Sequence, residues 1–569
     1  MPTTSGSVQK LMMNGQRAMG RTDWTEAKKC FEQALQIKET PELLELLGLA
    51  TWWLDDAETT FDSREKAFQI YRRQGNTRAA ARVAISIAYD YFSFRGEYAL
   101  SNGWSRRANR LLENLETVPE HGLVKAWDGN VAIEVDHDPA KAFRLGKEAA
   151  DIAEELQDFD LQMMSIALQG LALVFEGKVE EGMPLLDEAA TAAMTGEISD
   201  LETSINICCY LITACEYVRD YNRAVQWCFR VNRRTENGTF PLMFSFCQIH
   251  YAGVLIWNGD WDEAETVLKK ASNNLIDSRP AHAAEGLVKL AGICRFRGEF
   301  KKAEELLDKA GKKPFRMLGA NLVLLEKAAL AYDRGDPLTA ANLADRYLLN
   351  TPEECRLMLP KGLEILTLSQ LDLHKLKEAV QTSQRLRIIA EMAGTEPLIA
   401  FAHYTDGTVH LAKKENQQAC KCFERSVELF HRNKNPFQTA RSRCGVARAL
   451  HRLGQIQLSL REIHTAIETF QDLKAQPEQE RAKAILKKIK NQPADYAEAS
   501  SPDAFTAREQ EILCEIAKGK SNSQIATDHY ISIRTVERHI SNIYGKLGIS
   551  GKSARAKATA FAHRNELVG

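Results

Sequence analysis

Strand patterns and long apolar runs are almost absent from this sequence of 569 residues. Few stretches alternate Val, Ile or Thr with polar residues, so a β-sheet domain is not expected. No apolar run approaches the roughly 18 residues that cross a bilayer, and the first twenty residues show no basic-then-apolar signal pattern. The sequence therefore predicts an all-α, cytoplasmic protein without a membrane segment.

Cysteine pairs of the kind that bind metals or form redox centres are also lacking. The sequence has twelve cysteines and no C-x-x-C pair. The only close pairs are Cys208 with Cys209 and Cys420 with Cys422, and helix residues one or two apart do not face each other. We therefore expect reduced, buried thiols rather than a metal site.

Two short segments, Gly519-Lys-Ser521 and Gly551-Lys-Ser553, resemble the end of a phosphate-binding loop. That loop needs a further glycine five residues before its second glycine, so that backbone amides can wrap a phosphate. Cys514 and Lys546 stand at those positions, which excludes an ATPase loop. Without a nucleophile–base pair or metal-ligand spacing elsewhere, the sequence predicts no enzyme activity, no cofactor and no metal.

The charge is distributed unevenly along the chain. From Pro502 onward there are ten lysines and arginines against seven acidic residues, a balance of +3. Because the net charge of the whole chain is −2, the remainder carries −5. A basic segment on an acidic body indicates that only this segment meets a polyanion.

Most of the chain carries a repeated turn-then-helix pattern. Clear copies begin at Asn258-Gly259, Arg297-Gly298 and Arg334-Gly335, where glycine can end one helix in a left-handed conformation. An aromatic residue follows, such as Trp261, and then a small alanine that permits close helix packing. The alanines that close the copies are Ala27, Ala224, Ala264, Ala303, Ala340, Ala379 and Ala419.

This pattern resembles the tetratricopeptide-repeat superfamily over residues 8–490, although its period is about 40 residues against about 34 in a standard repeat. The resemblance implies a solenoid of helix pairs with an extended concave surface for a ligand or partner. The aromatic residues around His250, Tyr251, Trp257 and Trp261 could line such a groove, but helical spacing of aromatics is more typical of a core. Residues 491–502 contain two prolines and are predicted to be a linker.

The sequence pattern of residues 503–569 predicts four short helices. Thr506 with Glu509 forms a capping box, Ser521 or Asn522 caps the second helix, and Ser532 caps the third. Gly519 and Gly548 end helices, and Ser553 can cap the fourth. The third helix is predicted to have a buried apolar stripe, because four apolar residues recur at spacings of four, three and four. They are Val536, Ile540, Ile543 and Leu547.

Four ordered blocks of this segment are similar to the LuxR-type (GerE-type) helix-turn-helix output domain of bacterial regulators. They are Thr506-Ala-Arg-Glu509, Ser521-Asn-Ser-Gln-Ile-Ala526, Ile531-Ser-Ile-Arg-Thr-Val536 and Asn542-Ile-Tyr-Gly-Lys-Leu-Gly548. The resemblance implies a transcription regulator that binds double-stranded DNA, with its third helix in the major groove. It also implies that the protein is nucleoid-associated when bound.

The resemblance further suggests a role for individual residues. Positions matching Glu537, Arg538 and Ser541 read base edges. The positions expected near the DNA backbone are Asn522, Ser532, Arg534, Thr535, Asn542 and Lys546. The stripe expected to join two copies in a homodimer is Ala554, Ala558 and Phe561; the alternative is that Phe561 packs on its own domain. This chain departs from the family at Glu537, where lysine is usual, and at His529, where a buried leucine is usual.

Two hypotheses follow from the sequence. In the first, the repeat array binds a peptide, protein or small-molecule effector and thereby controls DNA binding. A flexible linker would allow the output domain to be docked on the array with Arg538 hidden, or released. In the second, the repeats form a scaffold and the C-terminal module docks partners rather than DNA. The exposed basic side of the third helix, with Arg534 and Arg538, favours the first.

Overall fold

The computed structural model describes most of the chain, namely residues 4–227, 245–312, 318–491, 505–547, 549, 554–565 and 567. Every regular element in these residues is helical, which confirms the predicted all-α class. Asn491 is the last residue of the last array helix, and residues 492–502 of the predicted linker lie outside the described residues. The same holds for Gly548 and Ser553, for which helix-ending and capping roles are predicted.

Consecutive helices of the first part of the array pack against each other across short turns. The bounds of these helices are α1 Thr4–Gly20, α2 Trp24–Ile37, α3 Pro41–Trp53, α4 Ala57–Gln74, α5 Thr77–Asp90, α6 Tyr98–Leu112, α7 Pro119–Val131, α8 Pro139–Leu156, α9 Phe159–Phe175, α10 Val179–Thr195 and α11 Leu201–Val218. Residues 221–227 are helical as well. Two helices, α5 and α7, continue into short π-helical turns at Tyr91–Arg95 and Ala132–Asp136.

The second part of the array repeats this arrangement. Its helices are α12 Ser245–Asn258, α13 Trp261–Leu275, α14 Pro280–Phe296, α15 Phe300–Gly311, α16 Leu318–Asp333, α17 Pro337–Leu349, α18 Leu359–Asp372, α19 Leu376–Ala393, α20 Glu396–Ala412, α21 Asn416–Arg432, α22 Pro436–Arg452, α23 Ile456–Asp472 and α24 Gln476–Asn491. A 3₁₀ turn, Arg356–Met358, leads into α18.

The recurring turn has the backbone that the sequence predicts. Gly259, Gly298 and Gly335 have φ angles of +92°, +82° and +81°, which glycine adopts without steric cost. At the same point of other repeats, Arg219 and Lys414 have φ angles of +60° and +65°. A side chain is therefore carried there in a left-handed conformation that costs on the order of 1 kcal/mol or more.

The packing of the repeats also agrees with the prediction. All seven alanines that close the repeat copies are buried, with at most 1% of their surface exposed. Trp261 is buried and stacks on Phe296 with ring centroids 5.1 Å apart. The small alanine allows the paired helices to approach, and the aromatic ring covers the gap beside it. The solenoid of helix pairs is therefore confirmed for the described residues.

Successive turns of the solenoid touch each other, which the sequence did not predict. The Trp257 indole donates to the backbone carbonyl of Asn433 at 2.8 Å, and the Thr395 hydroxyl donates to that of Val218 at 3.0 Å. These partners are 176 and 177 residues apart. Parts of the array that are far apart in the sequence are therefore in contact, in addition to the neighbouring repeats.

The C-terminal residues form a separate small core. Its helices are α25 Ala507–Ala517, α26 Asn522–Asp528, α27 Ile533–Lys546 and α28 Ala554–Arg564. The buried side chains that fill this core are Phe505, Ile512, Leu513, Ile516, Ile525, Ala526, Val536, Ile540, Ile543, Ala558 and Ala562. Three members of the predicted stripe, Val536, Ile540 and Ile543, are buried, and Leu547 is partly buried against them.

Two expectations about membranes and thiols can be compared with the structure. In the described part of the chain, no helix has the length and apolar character needed to cross a membrane. Nine of the ten cysteines whose burial the structure gives are buried, the exception being Cys514. Their burial agrees with the sequence expectation.

Candidate nucleic-acid interface

Two reciprocal capping boxes fix the starts of α25 and α26. The amide of Thr506 donates to the Glu509 carboxylate at 2.9 Å, and the amide of Glu509 donates to the Thr506 hydroxyl at 3.2 Å. Ser521 and Gln524 repeat this exchange at 2.8 and 3.3 Å. Each box satisfies backbone donors that a helix start otherwise leaves free, so the sequence itself sets where these helices begin.

The turn between α26 and α27 sets the orientation of α27. Tyr530 holds a left-handed φ of +53°, and Ser532 then caps α27 by accepting from the Thr535 amide at 3.1 Å. The first amides of α27 therefore face outward with the positive end of the helix dipole, which favours a phosphate. Tyr530 is 95% exposed, and sequence reasoning assigned it no role.

Helix α27 has one buried side and one exposed polar side. Arg534, Glu537 and Arg538 are exposed, and Ser541 and Asn542 are half-buried beside them. Among the described residues, neither Arg534 nor Glu537 takes part in an ion pair. This arrangement presents donors and acceptors from a rigid helix and matches a helix that enters the major groove.

Arg538 contacts the repeat array in this structure. Its guanidinium lies 3.0 Å from the carboxylate of Glu424, which belongs to α21. Burial raises the pKa of Glu424, and the neighbouring Arg538 opposes that rise. The predicted base-reading arginine and the array thus share one ion pair, with 43% of the arginine side chain still exposed.

Two of the predicted backbone-contact residues are engaged inside the C-terminal domain. The Lys546 ammonium donates to the carboxylate of Glu509, whose side chain is only 5% exposed. The Asn522 side-chain oxygen accepts from Arg555 at 2.9 Å. Arg555 also donates to the carbonyl of Lys520. Sequence reasoning missed the first of these contacts because Glu509 and Lys546 are 37 residues apart.

The stripe expected to join two copies points into the domain. Ala554 and Ala558 are 3% and 0% exposed, and Phe561 packs edge-on against Phe505 with ring centroids 5.7 Å apart. These side chains therefore complete the core of their own domain. The outward face of α28 instead carries Ala556, Lys557, Ala560 and His563.

His529 holds the turn before α27 in place. Its Nδ1 lies 2.9 Å from a guanidinium nitrogen of Arg508, and another nitrogen of Arg508 donates to the His529 carbonyl at 3.1 Å. The carboxylate of Glu511 is 4.0 Å from the same ring. The residue that replaces the expected buried leucine is thus half-buried and bound to helix α25.

A second cluster of ionisable groups lies inside the array. Oxygen and nitrogen atoms of Glu216, His250 and Glu285 lie within 4.8 Å of one another, a grouping that could hold a metal ion. The Lys289 ammonium binds Glu216 and lies 3.6 Å from Glu285. This ammonium helps to hold the pKa of Glu216 near 2 despite burial. The chain thus supplies the positive charge that an ion would bring.

Comparison with known proteins identifies the C-terminal segment. Residues 503–558 match the family model described as bacterial regulatory proteins, luxR family. The transcriptional regulatory protein LiaR of Bacillus subtilis is 48% identical over 66 residues, which cover 12% of this chain and 30% of LiaR. The response regulator protein VraR of Staphylococcus saprophyticus is 39% identical over 84 residues, 15% of this chain and 38% of VraR. The chain thus spans well under half the length of these relatives.

Solved structures resemble the chain over a longer stretch but only loosely. One match is a chain of the crystal structure of the APC/C hetero-tetramer Cut9-Hcn1. The match covers 85% of this chain and 96% of the other chain, at 13% identity and a TM-score of 0.36. A TM-score this low supports no conclusion about function. The family match and the capped, two-faced α27 concern the same residues. Residues 503–558 are therefore a domain of the luxR family of bacterial regulatory proteins.

Proposed function

We propose that this chain is a transcription regulator that binds a specific duplex DNA sequence through α27. The observation that carries the proposal is the exposed polar side of α27, with Arg534, Glu537 and Arg538, opposite a fully apolar buried side in a luxR-family domain. The fitting experiment is genome-wide mapping of the full chain in bacterial cells, followed by gel-shift titration on the enriched sites. Absence of sequence-specific sites would favour the scaffold hypothesis instead.

The proposed roles divide the polar residues into two groups. Glu537, Arg538 and Ser541 read base edges, where arginine suits guanine and glutamate can accept from cytosine. The residues that contact the DNA backbone are Asn522, Ser532, Arg534, Thr535, Asn542 and Lys546. Lys546 is the weakest member of this set, because its ammonium already binds Glu509.

We propose that two copies bind together. One domain of this size buries only about 600–1,000 Å² on DNA, which is too little for tight specific binding alone. Because Ala554, Ala558 and Phe561 face inward, the contact between copies would use the outward face of α28 or the array. Sedimentation of the full chain with a palindromic site and with a single half-site measures this stoichiometry.

The array is proposed to control DNA binding through an effector. The ion pair between Arg538 and Glu424 supports a docked state, since an arginine bound to an array carboxylate is not free to read a base. An effector shifts the balance between docked and released states only by its difference in affinity for the two. A tenfold gain in DNA affinity needs about 1.4 kcal/mol of such coupling. The protein would act in the bacterial cytoplasm, on the nucleoid when bound.

A further inference from the structure

A cavity of about 440 Å³ lies inside the array. Helices α11, α12, α14, α16, α18, α20 and α22 contribute to its walls. This volume falls in the range of about 300–1,000 Å³ typical of small-molecule sites. The contact between Trp257 and Asn433 joins two parts of the array at the cavity, since Trp257 also lines it. The volume of the cavity therefore suits a small molecule.

Most charged groups in the cavity walls neutralise one another. Lys289 binds Glu216, and Arg441 lies 3.2 Å from Glu364. In the same way Arg295 lies 2.6 Å from Glu326. Pairing of this kind offsets the cost of burying charge, so these three cations of the wall are already matched by carboxylates.

Arg219 is the exception among the cationic residues of the cavity wall. It follows α11, and its guanidinium stacks 3.9 Å from the ring centroid of Phe401. Within the described part of the chain it has neither a hydrogen-bond acceptor nor an ion-pair partner. Burial lowers its pKa, and the nearby carboxylate of Glu364 opposes this shift while Arg441 occupies that carboxylate. Five guanidinium donors thus remain for a ligand.

Aromatic side chains surround this guanidinium. Tyr221 stacks on Trp257 with ring centroids 4.5 Å apart, and Trp257 lies 6.4 Å from Phe401. All three line the cavity together with Arg219. Flat apolar walls beside one unpaired cation form a site for a molecule that has both an apolar body and an acidic group.

We propose that this cavity binds a small organic anion, a carboxylate or a phosphate, whose acidic group pairs with Arg219 and whose apolar body lies among Tyr221, Trp257 and Phe401. Such an anion would be the effector of the array, and its effect on DNA binding rests on the proposed function. The binding itself does not, because it can be measured without DNA.

The test uses a fluorescent aromatic anion, 1-anilinonaphthalene-8-sulfonate, and its uncharged counterpart N-phenyl-1-naphthylamine, with the full chain. Arg219→Gly removes the guanidinium and retains the turn, because glycine stands at this point in the repeats of Gly259 and Gly298. Lys414→Gly is the matched control, since Lys414 occupies the same turn position with φ of +65° but is exposed and does not line the cavity.

We expect the anion to bind the unaltered chain and the Lys414→Gly variant equally, and the Arg219→Gly variant at least tenfold more weakly, because a charge-assisted hydrogen bond contributes about that much. The uncharged probe should bind all three alike. Equal binding of the anion to the Arg219→Gly variant, or no binding to the unaltered chain, would overturn the proposal.

Competition then identifies the acidic group. Benzoate and phenyl phosphate should displace the bound anion, and the more effective of the two distinguishes a carboxylate from a phosphate ligand. Benzyl alcohol should displace it far less, and equal displacement by the alcohol would contradict recognition through Arg219. An anion that binds through Arg219 but leaves DNA affinity unchanged would support the cavity site. The same result would contradict the proposal that an effector controls DNA binding.

Discussion

Two buried arginines of the array differ from Arg534 of the C-terminal domain in how they are paired. In the array, Arg64 lies 2.7 Å from Asp90 with both side chains buried, and Arg295 binds Glu326 in the same manner. On α27, Arg534 is exposed and takes part in no ion pair among the described residues. Leaving a buried charge without a partner is costly, whereas an exposed charge adds little to stability.

The comparison therefore separates two roles for one residue type. Paired, buried arginines join nearby helices of the array, and their removal should lower its stability. Arg534, on the exposed side of α27, is available to an external anion, and its removal should weaken binding to that anion. Substitutions of Lys546, Glu424 and Glu134 test this distinction between paired and unpaired charges.

The largest effect is expected for Lys546→Ala. This change leaves the nearly buried carboxylate of Glu509 without its ammonium partner, and breaking such a pair costs about 3–5 kcal/mol. Amide hydrogen exchange of α25–α27, followed by mass spectrometry, should become much faster. Lys557→Ala, on the exposed face of α28, serves as the control, and equal exchange in both variants would contradict the structural role of Lys546.

A smaller effect is expected for Arg538→Ala, now on binding. A good bidentate contact to a base is worth about 1–3 kcal/mol, so affinity for the specific site should fall while affinity for random duplex changes little. Gel-shift titrations on both duplexes measure the ratio. Lys518→Ala, which changes an exposed lysine after α25, is the control. If the preference for the specific site survives in Arg538→Ala, the base-reading role is wrong.

Glu424→Gln tests the contact between the two regions. Partly exposed ion pairs contribute up to about 1 kcal/mol, so releasing Arg538 should raise the DNA affinity of the full chain by no more than about fivefold. The gain should shrink at high salt, because exposed charges are screened. Glu428→Gln lies on the same helix and pairs only with exposed arginines. Identical affinities for these two variants would show that the array does not hold Arg538 back.

The last prediction concerns the dependence of array stability on pH. Burial and the neighbouring Glu285 raise the pKa of Glu134 to about 7 from 4.5. Since the folded state holds this proton more tightly than the unfolded state, the free energy of unfolding should decrease as pH rises from about 4.5 to 7. Glu134→Gln should reduce this decrease, which melting temperatures at pH 5 and pH 8 would reveal. Glu155→Gln, at an exposed position, should leave it unchanged.

The features that sequence predicted well are local ones. Capping at Thr506 and Ser532, left-handed turns such as Gly259, and the close-packed alanines depend on neighbours within a few positions. The predicted solenoid follows from their repetition. The two-sided character of α27 was also predictable, because helical periodicity alone separates Val536 from Arg538.

Features that depend on distant partners could not be predicted in this way. Nothing in the pattern pairs Lys546 with Glu509 or brings Trp257 to Asn433. Sequence reasoning favoured a core role for Trp257, and the structure buries it, yet its ring also lines the cavity. The orientation of Phe561 was left open between its own domain and a partner, because a helical stripe does not say what it packs against.

Contacts between turns 176 residues apart also change how the array should lose its structure. In an open solenoid each repeat contacts only its neighbours, so repeats can unfold one after another from either end. Here the unfolding of Asn433, which directly follows α21, would also take away the acceptor for Trp257, several repeats earlier in the chain. Unravelling at one end is thereby coupled to the middle of the molecule, and the array should melt as a few large blocks rather than repeat by repeat.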